Sequence, residues 1–157
     1  GYELCETVPV RPGSEEYLDS EKYQIKPRDW NQAGNLSPLI TRVNQVRREQ
    51  AALQQNDGLR FHLTDNPVLL WFSKAPLGPA ASGSGTDRVF VVANTDPHRM
   101  EHGWVEVPLD DLGLSPTSTF VMEDLLDGRR YTWRGRWNYV KLDPAERMAH
   151  IFVMRDE

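Results

Sequence analysis

FVMEDLLDGRRYTW, Phe120 to Trp133, decides the reading of the fold. Two apolar-bearing runs, Phe120 to Leu126 and Arg130 to Trp133, flank Asp127-Gly128. Aspartate and glycine both tolerate the positive φ of a tight turn, so this dipeptide signals a two-residue β-hairpin. Outward from it the same signature repeats. Asn138 to Leu142 alternates and Ala149 to Met154 closes the chain, while Leu59 to Leu63 and His102 to Val107 alternate upstream. Val68 to Ser73 and Arg88 to Asn94 are runs of the kind buried on both faces. About eight short strands separated by turns predict an antiparallel sandwich or barrel over residues 58–157. Pro76 to Gly85, rich in Gly, Ser, Ala and Pro, reads as a loop between two of the strands.

Residues 1–57 are different in kind. Asn35-Leu36-Ser37-Pro38 opens a helix, with Ser37 placed to cap it and Pro38 at a position where its missing N–H costs nothing. Leu36, Leu39, Ile40, Val43, Val46 and Leu53 then form one apolar stripe, and Asn56-Asp57-Gly58 ends it. Residues 7–34 carry few apolar side chains that could cover that stripe. An irregular stretch of this length is uncommon unless it is functional or its support lies elsewhere. The stripe therefore packs either on the strand region or on structure upstream of Gly1.

Composition narrows the function classes. A net charge of -5, with Arg47-Arg48 and Arg129-Arg130 set among acidic neighbours, argues against a nucleic-acid partner. The longest apolar runs, Val68 to Phe72 and Val89 to Ala93, fall far short of the ~20 residues a membrane helix needs. The single cysteine, Cys5, excludes an intrachain disulfide and fits a reducing, cytoplasmic compartment. His62, His98, His102 and His150 show no metal-ligand spacing, and no cofactor motif occurs.

Two groups of residues bear on chemistry. Glu3, Glu6, Glu15, Glu16, Asp19 and Glu21 crowd around Tyr17, Lys22 and Tyr23. They read either as solvated surface or as a loop contacting a sugar or polyol. Trp104, Tyr131, Trp133, Trp137 and Tyr139 read either as a stacking platform for sugar rings or as ordinary strand packing.

Gly1-Tyr2-Glu3 resembles the Gly-x-Glu that ends the eighth barrel strand in the α-amylase family, glycoside hydrolase family thirteen. Tyr2 to Glu6, Gly13 to Tyr23 and Lys26-Pro27-Arg28-Asp29-Trp30 are similar to its α-1,4-glucan:maltose-1-phosphate maltosyltransferase branch. Asn94-Thr95-Asp96-Pro97-His98, Asp124 to Gly128, Tyr131-Thr132-Trp133 and Asn138-Tyr139-Val140 resemble segments of the same branch, so the resemblance spans essentially the whole chain. It implies an α+β fragment: residues 1–57 as the C-terminal end of a (β/α)8 barrel (last strand, loop and helix), and residues 58–157 as an antiparallel β-sandwich domain. The loop after strand eight lies on the face where such barrels bind substrate. The resemblance implies that Glu21, Lys22 and Tyr23 lie close to bound sugar or phosphate.

The implied reaction moves maltosyl units from α-maltose 1-phosphate to the non-reducing end of an α-1,4-glucan with retention, in a homodimeric enzyme without a cofactor. Its catalytic carboxylates belong to strands before the eighth, so none is expected here and the chain alone is expected to be inactive. The alternative is a stand-alone carbohydrate-binding β-sandwich module, which needs an exposed row of aromatics.

Overall fold

The computed structural model describes residues 1–19, 25–77 and 87–155. Two compact units divide the chain, Gly1–Asn44 and Gln45–Glu157.

The first unit is held by turns and local pairing. Residues 2–5 form a turn, and Cys5 takes a φ of 55°. A small antiparallel bridge joins Pro9 to Tyr17, closed by Val10 N–H to the Glu16 carbonyl at 2.8 Å and Leu18 N–H to the Val8 carbonyl at 2.7 Å. Gly13, at a φ of 77°, allows that loop to reverse. The sequence signals contained no hint of this pairing, because charged residues and prolines dominate the segment. The helix α1 runs Ser37–Glu49. Its first free N–H, on Ser37, is capped by the Asn35 side chain at 3.0 Å rather than by Ser37 itself. Leu39 and Val43 of the predicted stripe are exposed.

The second unit is an antiparallel two-sheet arrangement, as the strand spacing predicts. A short 3-10 turn, Ala51–Leu53, precedes β1 (Leu59–Phe61), β2 (Leu69–Lys74), β3 (Val89–Asn94) and β4 (Glu101–Glu106). There follow β5 (Thr119–Asp124), β6 (Arg130–Arg134), β7 (Trp137–Leu142) and β8 (Ala149–Arg155). The larger sheet has the order β1-β2-β3-β8-β5-β6, and β4 pairs with β7 in the smaller. The core lies between them. Leu69, Trp71, Phe90, Val92, Met122, Trp133 and Phe152 from the larger sheet meet Val105, Val140 and Leu142 from the smaller. Trp71 stacks on Phe90 at 5.5 Å and donates its indole N–H to the Glu106 carbonyl at 2.7 Å, tying one sheet to the other. The buried Asn94 adds a second tie, from its side-chain amide to the Leu142 carbonyl at 3.3 Å.

The outer face of the larger sheet is covered as well. Val89, Val91, Ile151 and Val153 pack with Val46, Ala52, Leu53 and Leu125. This double burial explains why β3 reads as a continuous apolar run, whereas β2, read the same way, alternates in burial and leaves Leu70 exposed. Likewise β7 alternates strictly, with Asn138, Val140 and Leu142 inward and Trp137, Tyr139 and Lys141 outward.

The decisive hairpin is longer than its dipeptide suggests. β5 ends at Asp124, whose carbonyl accepts from Gly128 N–H at 2.7 Å and whose carboxylate accepts from Leu126 N–H at 3.0 Å, while Leu125 N–H makes a last rung to the Ile151 carbonyl of β8 at 2.7 Å. Leu125 to Gly128 then make a four-residue loop, closed by Asp124 N–H to the Arg129 carbonyl at 2.8 Å, with Gly128 at a φ of 77°. The glycine plays the part expected of it, one step later in a wider turn.

Candidate functional site

Glu21, Lys22 and Tyr23 lie outside the described residues, which stop at 19 and resume at 25. The chain that follows them is anchored. Glu6 accepts hydrogen bonds from Arg28 Nε at 3.2 Å and lies 3.0 Å from the Lys26 ammonium. Those two bonds, Arg28 first, hold the Glu6 carboxyl below the usual glutamate range. Gln32 donates to the Leu4 carbonyl at 2.8 Å, and Leu36 N–H to the Glu3 carbonyl at 2.6 Å. Residues 3–6 are thus stitched to residues 26–36. A cleft of about 580 Å³ opens beside Glu6, walled by Tyr2, Tyr17 and Arg28.

The five aromatics considered as a platform separate in the structure. Trp133 is core, with its ring 5.3 Å from Phe152. Tyr131 is half-buried against Phe152 and His150. Trp104, Trp137 and Tyr139 are exposed on the outer face of β4 and β7, where the register sets Trp104 opposite Tyr139 and Glu106 opposite Trp137. Trp104 and Tyr139 meet edge to face at 5.8 Å, and His102 lies 5.7 Å from Tyr139.

A larger cleft adjoins that face. β6 and β7 are consecutive but belong to different sheets, and the chain turns the corner at Gly135 and Arg136. Gly135 has a φ of 64°, and a Cβ there would sit 2.7 Å from the Pro116 carbonyl oxygen. Asn138 fixes the corner by accepting from Arg134 N–H at 2.9 Å and donating to the Gly135 carbonyl at 3.1 Å. Beyond it the two strands diverge around a cleft of about 660 Å³, walled by Tyr131, Tyr139, Lys141, Asp143, Glu146 and Arg147.

Arg129, Arg147 and His150, which line this cleft, belong to an ion-pair network. Asp124, fully buried, accepts from Arg147 and from His150 Nδ1 at 2.8 Å through one oxygen. Its other oxygen accepts from Leu126 N–H at 3.0 Å and Ile151 N–H at 3.3 Å. Arg147 also reaches Asp127, which pairs with Arg129 at 3.1 Å. Burial works against ionisation of Asp127, but hydrogen bonds from Arg147 and the Arg129 N–H, with both cationic charges, hold its pKa below the aspartate norm. Sequence reading missed this network because its members come from two segments about twenty residues apart, 124–129 and 147–151. The nearest signal was the resemblance of Asp124 to Gly128 to a known run, whose acids turn out to brace a hairpin.

At the other end of the unit, His62 Nε2 lies 2.7 Å from Ser73 Oγ, which also accepts from Arg88 at 3.4 Å. Burial first, then the charges of Arg60 and Arg88, lower the His62 pKa. Ser73 is fully buried, so this pair is structural and not a nucleophile with its base. Among the described residues no group of three His, Cys, Asp or Glu side chains could hold a metal ion, and no helix is long and apolar enough to cross a membrane.

Comparison with known proteins gives a consistent result. A family profile described as "GLGE, C-terminal" matches residues 61–154. The chain is 48% identical, over 99% of its length, to alpha-1,4-glucan:maltose-1-phosphate maltosyltransferase 2 of Streptomyces coelicolor. It is 41% identical over 99% of its length to the Methylacidiphilum infernorum protein named alpha-1,4-glucan:maltose-1-phosphate maltosyltransferase. The Mycolicibacterium smegmatis protein of that name is 40% identical over 98% of the chain. In each case the chain spans 22% of the relative's length.

Proposed function

This chain belongs to the family described as GLGE, C-terminal, and from that premise we propose that it forms the C-terminal part of a maltosyltransferase. The whole enzyme moves maltosyl units from α-maltose 1-phosphate to the non-reducing end of an α-1,4-glucan, as a cytoplasmic homodimer. The observation that carries this reading is the pattern of similarity. Relatives named for that reaction match 98–99% of the chain, yet the chain accounts for only 22% of them.

On this reading residues 1–57 finish the (β/α)8 barrel and residues 58–157 are its sandwich domain. The exposed Leu39 and Val43 support it, since an apolar stripe of that kind suits a helix that closes a barrel. In the reaction a carboxylate attacks the anomeric carbon, phosphate leaves, and the 4-hydroxyl of the acceptor displaces the covalent β-maltosyl intermediate. A second carboxyl donates and then removes the proton. This chain supplies neither carboxyl. Its contribution is the loop bearing Glu21, Lys22 and Tyr23, where an ammonium and a phenol provide donors for phosphate and sugar oxygens. Glu6 supports this role by anchoring Lys26 and Arg28 just downstream.

The test is phosphate release from α-maltose 1-phosphate in the presence of maltohexaose. The enzyme carrying this chain at its C-terminus releases phosphate, and the 157-residue chain alone does not. Lys22→Ala in the whole enzyme raises KM for the donor by about tenfold, the loss of one charge-assisted contact. Turnover by the isolated chain would overturn the proposal.

A further inference from the structure

We propose that the cleft between β6 and β7, with the aromatic face that continues from it, is a binding site for a segment of α-1,4-glucan on the sandwich itself. The volume of about 660 Å³ falls in the ordinary range of small-ligand sites. Its chemistry selects the occupant. A pyranose ring offers C–H groups on its faces and hydroxyls around its edge, so it needs aromatic surface beside polar groups of both kinds. Tyr131 and Tyr139 supply the aromatic surface inside the cleft, and Tyr139 carries it outward to Trp104. The Lys141 ammonium and the Glu146 carboxylate stand in the wall as donor and acceptor. Among the described residues, neither side chain has a hydrogen-bond or ion-pair partner.

Charge argues against an anion. Arg147 is held by Asp124 and Asp127, and Arg129 by Asp127. Lys141 shares the cleft wall with the carboxylates of Asp143 and Glu146, without a direct ion pair among the described residues. A cleft whose cations are matched in this way gives no net attraction to phosphate or sulfate but suits an uncharged polyol. The position is favourable as well. The outer face of the larger sheet is filled by Val46, Ala52 and Leu53, whereas Trp104 and Tyr139 on the outer face of the smaller sheet are about half exposed (48% and 49%). Assigning the α-linked class rests on the proposed transferase reaction, whose acceptor is such a glucan; the sugar-binding chemistry of the cleft does not.

Maltoheptaose, cellohexaose and inorganic phosphate are titrated against the 157-residue chain, read by tryptophan fluorescence, with retardation on glycogen-containing native gels alongside. Maltoheptaose binds, and Tyr139→Ala and Trp104→Ala each weaken it roughly 2- to 12-fold, the range for one lost aromatic contact. Both side chains are half-exposed, so their removal opens no internal cavity. The same substitutions in the whole enzyme raise KM for glycogen by a similar factor. Equal affinities of the variants and the unchanged chain would overturn the site, as would saturable binding of phosphate in its place. Tighter binding of cellohexaose than of maltoheptaose would overturn the α-glucan assignment. Because phosphate release from the donor is read separately, failure of this site and failure of the transferase proposal are distinguishable.

Discussion

Asp124→Ala is expected to be a severely destabilising change in the sandwich. The carboxylate is fully buried and serves four donors: Arg147, His150 and the N–H groups of Leu126 and Ile151. Removing one partner of a buried ion pair costs about 3–5 kcal/mol, because the other charge is left without compensation. Arg147 keeps Asp127 and has some access to water, which moves the ion-pair part to the lower end. The two backbone N–H groups lose their acceptor, at roughly 1 kcal/mol each when water does not replace it. A total of about 3–5 kcal/mol follows, or about 2 M in urea midpoint for a slope near 2 kcal/mol per molar. Asp124→Asn keeps a carbonyl oxygen for the two N–H groups but loses the charge opposite Arg147, so it falls between, at about 2–3 kcal/mol. Equilibrium urea unfolding followed by tryptophan fluorescence reads both. A loss below about 1 kcal/mol for Asp124→Ala would refute the view that this network holds β5 to β8, as would an asparagine variant no better than the alanine one.

Two further experiments probe other parts of the chain. His62 has a folded pKa below its unfolded value, so the stability it contributes is complete above an unfolded pKa near 6.5 and is lost as the pH falls below that. His62→Gln should flatten the decline in urea midpoint between pH 7.5 and pH 5.5, by up to about 1.4 kcal/mol per pH unit; parallel curves would count against a neutral His62 held by Ser73. Val46→Ala, at a fully buried position on the outer sheet face, should cost about 2 kcal/mol in the same unfolding assay, while Val43→Ala, at an exposed position, should cost almost nothing. Similar losses for the two would mean that the end of α1 is not packed on the sandwich as described.

The strands were legible because local patterns mark them: strict alternation in β7, a β-branched run in β3. Their order was not. β3 and β5 are both neighbours of β8, a partnership across the full length of the unit that no local pattern encodes. The end of β5 was read two residues too late, since Leu125 and Leu126 look like strand residues. The bonds from Leu126 and Gly128 N–H back to Asp124 show that the chain is already turning there. The aromatics were found as a group, but alternation alone could not say that Trp133 faces inward while Trp137 faces outward. Asp127 was read only as a turn residue, and its ion pair with Arg147 was not legible because twenty residues of sequence separate the two. Glu21, Lys22 and Tyr23 stood out in the acidic cluster, but their place near bound sugar or phosphate was implied by resemblance alone, and they fall outside the described residues.

The place of β8 in the middle of the larger sheet has a consequence for how the polypeptide is made. Synthesis is vectorial, and β8 is the last of the eight strands to leave the ribosome. Until it does, β3 and β5 each have an open edge, Phe90 lacks Phe152 opposite it and Met122 lacks Met154. Roughly 30 residues separate the end of β5 from the end of β8, a delay of about 2–6 s at ordinary translation rates. During that interval the nascent sheet is two half-sheets awaiting a common keystone. Chains cut short anywhere in this stretch present two unpaired edges to cellular quality control, so the central strand also acts as a check that translation has passed Arg155.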